Sequence, residues 1–264
     1  MASESTMATA SPPPPPLLRA PLLRVENLSK VFGGVTALNG VGFEVYPGEV
    51  VGLIGPNGAG KTTLFNVISG LLPPSGGTIT FHGRSIGGLR PDEICALGAV
   101  RTFQSASLLS GMTVWDNVHV ASLFRPAERA RTESAAACTR RALAFCGLED
   151  CRDEIAETLS IGDQKRVEIA RAMATGPTLL MTDEILAGLN AADSEGILRM
   201  LQGLKREGIS IIFVEHDVRS VMRLSDRVVV IAQGRKLAEG TPDSVARMPE
   251  VISVYLGGRY AQGV

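Results

Sequence analysis

The feature that most constrains this chain is the motif GPNGAGKT at residues 55–62, which matches the pattern G-x-x-x-x-G-K-[S/T]. An apolar run at residues 49–54 precedes the motif, and an apolar helical pattern at residues 62–68 follows it. This order predicts a strand, a tight loop and a helix. The N–H groups of such a loop and the positive end of the helix dipole together form a site for phosphate groups. The motif therefore predicts an α/β protein that binds a nucleotide.

Each residue type in this loop has a task in phosphate chemistry. Glycines allow the backbone to turn tightly. Lys61 supplies a positive charge to the β and γ phosphates, and the hydroxyl of Thr62 can ligate Mg²⁺. The predicted nucleotide-binding residues are Gly55, Pro56, Asn57, Gly58, Ala59, Gly60, Lys61, Thr62 and Thr63.

A second acidic site follows the mostly apolar run LLMT at residues 179–182. Asp183 comes at the carboxyl end of this predicted strand, which is where ligands collect in open α/β sheets. We expect Asp183 to hold Mg²⁺ through water, and Glu184 to polarise an attacking water molecule. Two surface acids after a core strand are the alternative, and the phosphate loop favours the functional interpretation.

The remaining pattern divides the chain into sheet-forming and helical parts. Continuous apolar runs at 179–182, 209–214 and 228–232 are typical of strands buried on both faces of a mostly parallel sheet. Residues 91–176 show helical patterns and no clear strand, which predicts an inserted helical subdomain. Within it, residues 128–146 predict one partly exposed helix.

The N-terminal part of the chain shows two further patterns. Runs at 22–28, 41–46 and 78–81 predict short strands, and these form an N-terminal β portion. Residues 1–20 are Pro-rich and predict a disordered leader, with a docking ligand of the PxxP type as the alternative. We expect the ordered domain to span 21–258 and a short tail to follow at 259–264.

Charge and composition exclude several classes. The chain has 26 Lys and Arg against 27 Asp and Glu, a formal net charge of −1, which argues against nucleic acid as a partner. No apolar stretch approaches the roughly 18 residues that a membrane-spanning helix needs. The four cysteines lack metal-ligand spacing and predict reduced thiols in a cytosolic protein; they are Cys95, Cys138, Cys146 and Cys151.

With these motifs in place, the chain resembles the ATP-binding subunits of ABC transporters from about residue 22 to residue 258. Five further elements occur in the order of that family. They are an aromatic residue, Phe32; the glutamine loop RTFQ, ending at Gln104; the signature-like LSIGD at 159–163; the loop AGLN at 187–190; and the switch histidine, His216. The resemblance implies a P-loop NTPase core with a mostly parallel sheet, an N-terminal antiparallel β portion and an inserted helical subdomain.

The resemblance also implies site residues and cofactors, namely ATP and Mg²⁺. The implied catalytic residues are Glu184, His216, Gln104 and Lys61. The implied nucleotide contacts outside the phosphate loop are Phe32, Ser160 and Gly162. The implied metal ligands are Thr62, Gln104 and Asp183.

The signature segment points to a second chain. Ser160 precedes a helical pattern and can cap it, which creates a second phosphate site at a helix N-terminus. Because the chain already has its own phosphate loop, this second site implies another subunit. The resemblance implies a head-to-tail dimer that encloses two ATP molecules, with membrane permease subunits as partners and an extracytoplasmic solute-binding protein as an indirect one. It places the chain peripherally on the cytoplasmic face of the inner membrane.

Segments near the signature and the C-terminus resemble one branch of the family, the ATPases of importers for branched-chain amino acids. They are RVEIARAMAT at 166–175, EGTP at 239–242 and PEVISVYLG at 249–257. Importers of urea and short-chain amides and the lipopolysaccharide-export ATPase are similar. The chain departs from the family pattern at Ile161, Asp163, Thr182 and Ile185. A regulatory subunit with weak hydrolysis, and a soluble ABC ATPase of DNA repair or translation, remain alternatives.

Overall fold

The structure is a computed structural model that describes residues 20–102, 108–126 and 131–260. The first sheet is antiparallel and has the strand order β2-β1-β4-β5. Its strands are β1 (Leu23–Phe32), β2 (Val35–Val45), β4 (Gly76–Phe81) and β5 (Arg84–Ser85). This sheet is the N-terminal β portion that the sequence predicts. Residues 1–19 of the predicted leader and 261–264 of the predicted tail lie outside the described residues.

The second sheet carries the phosphate loop and has the order β10-β9-β3-β8-β7-β6. Five of its strands run parallel, and β10 joins the edge antiparallel to β9. Its strands are β3 (Val50–Ile54), β6 (Ala99–Arg101), β7 (Leu179–Asp183), β8 (Ser210–Val214), β9 (Arg227–Ala232) and β10 (Arg235–Gly240). The predicted fold class, an α/β protein with a mostly parallel sheet, is confirmed.

Apolar side chains cover both faces of the second sheet. Ile54, Phe213 and Val230 belong to one buried cluster, while Leu53 and Val214 belong to a cluster on the opposite face. Because successive strand residues point to opposite faces, a strand packed on both sides must be apolar at every position. This packing accounts for the continuous apolar runs in the sequence.

The helices of the described residues surround the second sheet or extend from it. They are α1 (Lys61–Ile68), α2 (Pro91–Ala96), α3 (Val114–Ser122), α4 (Ala135–Cys146), α5 (Ile161–Ala174), α6 (Ala191–Arg206), α7 (Val218–Leu224), α8 (Pro242–Val245) and α9 (Pro249–Tyr260). Helices α3, α4 and α5 pack against one another through buried residues such as Val118, Leu143 and Val167. In the described part of the chain, no helix combines the length and the apolar character that crossing a membrane requires.

Two sequence expectations for the middle of the chain are wrong. Residues 91–176 were expected to lack a strand, but β6 lies there and pairs with β7 in parallel. Three residues are too few to show a strand pattern, and β6 forms because the edge of β7 is available to it. The expected single helix over 128–146 is also interrupted, since α4 begins at Ala135 with the Ser134 hydroxyl accepting from the Ala137 N–H.

Candidate functional site

The phosphate loop connects β3 to α1, as its sequence predicts. The Lys61 ammonium folds back over this loop and donates to the carbonyl oxygens of Gly55, at 2.6 Å, and Pro56, at 3.1 Å. Burial lowers the pKa of Lys61, and the nearby carboxylates of Glu184 and Asp183 oppose that shift. The loop thus holds a positive charge in its concavity.

Glycine is required at two positions of the loop for steric reasons. Gly60 has a φ of 104°, and a Cβ there would lie 2.7 Å from the carbonyl oxygen of Ala37. A Cβ at Gly55 would overlap the carbonyl oxygen of Ile231. The β9–β10 turn supports the loop from the other side, where the Gly234 N–H donates to the Ala59 carbonyl at 3.0 Å. Sequence reasoning missed β10, the strand that follows this turn.

The loop opens into a cavity of about 370 Å³, a volume typical of small-ligand sites. Glu184 and His216 line this cavity although they lie more than 120 residues beyond the loop in the chain. Its lining residues are Ala37, Asn57, Gly58, Ala59, Gly60, Lys61, Thr62, Thr63, Glu184 and His216. The fold therefore brings the predicted base and the predicted switch histidine to the predicted phosphate loop.

Glu184 occupies an unusual backbone conformation just beyond β7. Its φ is 52°, in the left-handed region that non-glycine residues seldom adopt, and its N–H donates to the Val214 carbonyl at 2.9 Å. His216 Nε2 lies 2.6 Å from Glu184 Oε1. Because an ionised carboxylate only accepts, the imidazole is the donor. Backbone strain of this kind concentrates at functional sites, and here it aims the carboxylate at the cavity.

Asp183, the last residue of β7, has a side chain that is 5% exposed. Its Oδ2 accepts a hydrogen bond of 2.8 Å from Arg101 Nη2. Sequence reasoning treated Arg101 only as part of the glutamine-loop motif. Its contact with Asp183 has no signal in the sequence, because the two residues are 82 positions apart.

Glu215 is a second residue that sequence reasoning missed. It is buried at the end of β8, and its Oε1 accepts from the Leu186 N–H at 2.8 Å. Burial raises the pKa of Glu215 to about 7, and the charges of Glu184 and Asp183 add to the shift. The only sequence signal is its position between an apolar strand and His216.

The signature segment begins helix α5, with Ser160 as its N-cap. The Ser160 hydroxyl accepts from the Asp163 N–H at 3.1 Å, as the sequence predicts for a cap. Gly162 is buried close to α6. A Cβ at this position would lie 2.7 Å from the carboxyl carbon of Asp193, so the packing requires glycine. Neither Ser160 nor Gly162 lines the cavity at the phosphate loop.

Phe32 and Gln104 are the two remaining predicted contacts, and only Phe32 is among the described residues. Phe32 ends β1 with 43% of its surface exposed, and Lys30 Nζ lies 5.0 Å from its ring centroid. Its ring is thus available to a flat partner, though it does not line the cavity at the phosphate loop. Gln104 falls within residues 103–107, which lie outside the described residues.

Comparison with protein-family models identifies the class. The model of the ABC transporter family matches residues 38–187, a span from β2 across the phosphate loop to the residues beyond Glu184. The chain belongs to the ABC transporter family. A second model, of a branched-chain amino acid ATP-binding cassette transporter, matches residues 235–261 at the C-terminal end of this cassette.

Two curated relatives align with almost their whole length. The cassette is 41% identical to the high-affinity branched-chain amino acid transport ATP-binding protein LivG of Escherichia coli K12, over 90% of this chain and 98% of that protein. It is also 41% identical to BraF of Pseudomonas aeruginosa PAO1, which carries the same description, with the same coverage.

Solved structures agree with this assignment. The cassette superposes on the ADP conformation of an ATP-binding cassette of an ABC transporter with a TM-score of 0.82 and 33% identity, covering 90% of this chain and 99% of that one. It also resembles a dimeric ATP-binding cassette in a post-hydrolysis state bound to ADP and Pi, with a TM-score of 0.72, 25% identity, and coverage of 83% and 98%.

Proposed function

We propose that this cassette hydrolyses ATP to power a membrane importer of branched-chain amino acids or related small solutes. The observation that carries the proposal is that Glu184 and His216 line the same cavity as the phosphate loop. The matches to LivG and BraF support the choice of solute. The C-terminal family model supports it independently.

The residues of the cavity, together with Asp183 beside Glu184 in the chain, fit a Mg²⁺–ATP complex. Thr62 offers a hydroxyl oxygen at the start of α1, and Asp183 offers a carboxylate oxygen at the end of β7. Oxygen ligands of this kind suit Mg²⁺, and Gln104 would be a third by the resemblance. When bound, the cation offsets the charge of the phosphates. The Lys61 ammonium and the N–H groups of the loop bind the β and γ phosphates.

Glu184 acts in this proposal as the base. Its carboxylate orients the attacking water and accepts a proton from it, while the charge that develops on the γ-phosphate is stabilised by Lys61 and His216. The contact of 2.6 Å between His216 and Glu184 supports this role, because it holds the two side chains together in the cavity. His216 then turns its N–H from the carboxylate to the phosphate.

The second subunit is also part of the proposal. Ser160, at the N-terminus of α5, does not line the phosphate-loop cavity, which supports a role for it at a nucleotide bound by another cassette. A second copy or a related cassette would place its Ser160 and Gly162 against the γ-phosphate bound here, and Phe32 would stack on adenine. Membrane permease subunits would bind this dimer on the cytoplasmic face, where the cassette is peripheral, and the solute-binding protein would act through them.

An ATPase assay of the purified chain, alone and with its permease subunits, tests the proposal. Glu184→Gln keeps the shape of the side chain and removes the base, so turnover should fall by at least about 100-fold while ATP affinity stays within twofold. Glu250→Gln, an exposed change at the start of α9, is the control. A near-parental rate for Glu184→Gln would remove this residue as the base, and an inactive parental chain would favour a regulatory subunit. Transport into vesicles of leucine, isoleucine or valine tests the solute.

A further inference from the structure

Arg101 binds the carboxylate at the end of the neighbouring strand. It is the last residue of β6, and its Nη2 donates to Asp183 Oδ2 at 2.8 Å. The two side chains are 7% and 5% exposed, so water screens this contact little. Charge-assisted hydrogen bonds between arginine and a carboxylate are strong and directional.

The same guanidinium also contacts the helix that follows the phosphate loop. Nη1 donates to Asn66 Oδ1 at 2.5 Å and to Ser69 Oγ at 3.4 Å. The guanidinium carbon lies 5.5 Å from the ring centroid of Phe65. Asn66 and Phe65 belong to α1, the helix that begins with Lys61 and Thr62, and Ser69 is its C-cap. One planar group therefore joins α1 to the end of β7.

These two elements carry the oxygen ligands of the proposed metal site. Mg²⁺ demands near-ideal octahedral geometry, so the spacing between Thr62 and Asp183 matters to its affinity. We propose that Arg101 is a positioning residue that fixes the Asp183 carboxylate relative to α1. Asp183 would then hold the cation, directly or through water, while its Oδ2 stays bound to Arg101. This inference rests on the proposed function, in which Asp183 and Thr62 bind Mg²⁺.

Charge compensation alone is the competing explanation. Asp183, Glu184 and Glu215 place three carboxylates near one another, and any buried cation would reduce their repulsion. Lysine separates the two explanations, because it keeps the charge but has a single nitrogen and cannot bridge Asp183 and Asn66 in one plane. Asn66→Ala tests the same distinction at α1, since it removes the shorter of the two hydrogen bonds from Arg101 to this helix and its C-cap and leaves the Arg101–Asp183 pair.

The experiment measures ATP binding by the full chain at a series of Mg²⁺ concentrations and in EDTA. Arg101→Lys should raise about tenfold the Mg²⁺ concentration that gives half of the maximal increase in ATP affinity. Loss of a group that orients a metal ligand typically has an effect of this size. Asn66→Ala should shift this concentration in the same direction by a smaller factor, because the contacts of Arg101 with Ser69 and Phe65 remain. ATP affinity in EDTA should change less than twofold in both. Arg227→Lys, at the start of β9, alters the ion pair between Arg227 and Glu49; it is the matched control and should leave the Mg²⁺ dependence unchanged.

The outcomes distinguish this inference from the proposed function. Parental Mg²⁺ dependence in both Arg101→Lys and Asn66→Ala would overturn the positioning role and leave the proposed function intact. A parental chain whose ATP affinity does not respond to Mg²⁺ would overturn the proposed function as well. Mn²⁺ bound with ATP, followed by electron paramagnetic resonance, gives a second readout of the cation. If Arg101→Lys does not fold, Asn66→Ala decides the question by itself.

Discussion

The Ser160 hydroxyl donates a hydrogen bond of 2.8 Å to the carboxylate of Asp163, three residues along the same helix turn. Arg166 Nε lies 3.6 Å from the other oxygen of that carboxylate. Asp163 thus faces its own cap and its own helix. A serine hydroxyl has one proton, so Ser160 would have to release Asp163 in order to donate to a phosphate bound by another cassette, as proposed above.

Asp163→Gln should therefore strengthen ATP-driven dimerisation. The change weakens the hydrogen bond that the Ser160 hydroxyl donates to residue 163. It also removes a negative charge that repels the phosphates. Counterions screen this repulsion over about 8 Å in the open state and screen it less after closure. Loss of the favourable charge at the α5 N-terminus should cost only about 0.3–1 kcal/mol of stability. Sedimentation of the Glu184→Gln variant, with and without Asp163→Gln, measures the dimer affinity in the presence of ATP. Equal or weaker dimers with Gln would mean that Asp163 acts on its own helix only.

Phe32→Ala should weaken ATP binding about tenfold, because stacking of a base on an aromatic ring contributes roughly 1–3 kcal/mol. Since 43% of Phe32 is exposed, the change should leave the melting temperature almost unaltered. Titration with inorganic tripolyphosphate is the control, because this ligand has no base and its affinity should stay constant. A parallel loss of tripolyphosphate affinity would mean that Phe32 shapes the phosphate loop and does not stack on adenine.

Glu215 should make stability depend on pH. Its folded pKa of about 7 lies above its ordinary value of 4.5, so the folded chain retains a proton that the unfolded chain has lost. The free energy of unfolding should then fall by up to about 3 kcal/mol from this group as the pH rises from 4.5 to 7. Glu215→Gln still accepts from Leu186 and should remove this fall.

Urea unfolding at pH 5 and pH 8 measures the effect. Relative to the parental chain, Glu215→Gln should gain stability at the higher pH. For the exposed Glu250→Gln, the difference in free energy of unfolding from the parental chain should be the same at both pH values. An unchanged pH profile in Glu215→Gln would show that the carboxyl is ionised in the folded chain across this range.

Thr182→Val should stabilise the cassette by about 1–2 kcal/mol. Thr182 is fully buried in β7, and among the described residues its hydroxyl has no hydrogen-bond partner. Valine has nearly the same shape and no polar group to desolvate. Thermal and urea unfolding measure the gain, with Thr182→Ser as the comparison that keeps the hydroxyl and loses the methyl group. A loss of stability in Thr182→Val would mean that an ordered water satisfies the hydroxyl.

Ile185 and Ile161 are two positions at which the chain departs from the family pattern, and the structure accounts for the first of them. Ile185, where the family pattern has proline, is fully buried and joins the main apolar cluster. The Glu184 backbone reaches its left-handed conformation without that proline. Nothing in the structure explains why Ile161 is 57% exposed at the start of α5.

Local sequence determined the phosphate loop, the buried strands and the cap at Ser160. Each depends on chemistry within a few residues: glycines that permit a tight turn, apolar side chains at successive positions, and a hydroxyl beside free N–H groups. The acidic pair at the end of β7 was predictable for the same reason, since the carboxyl end of a parallel strand is where a ligand site forms.

Only the tertiary structure decided how these parts meet. The three-residue strand β6 forms because β7 offers it an unpaired edge, and this pairing brings Arg101 to Asp183 across 82 positions of the chain. The pKa of Glu215 is raised to about 7 because packing removes it from water beside two other carboxylates. Such contacts depend on distances between segments that are far apart in the chain, and no local pattern of residues encodes those distances.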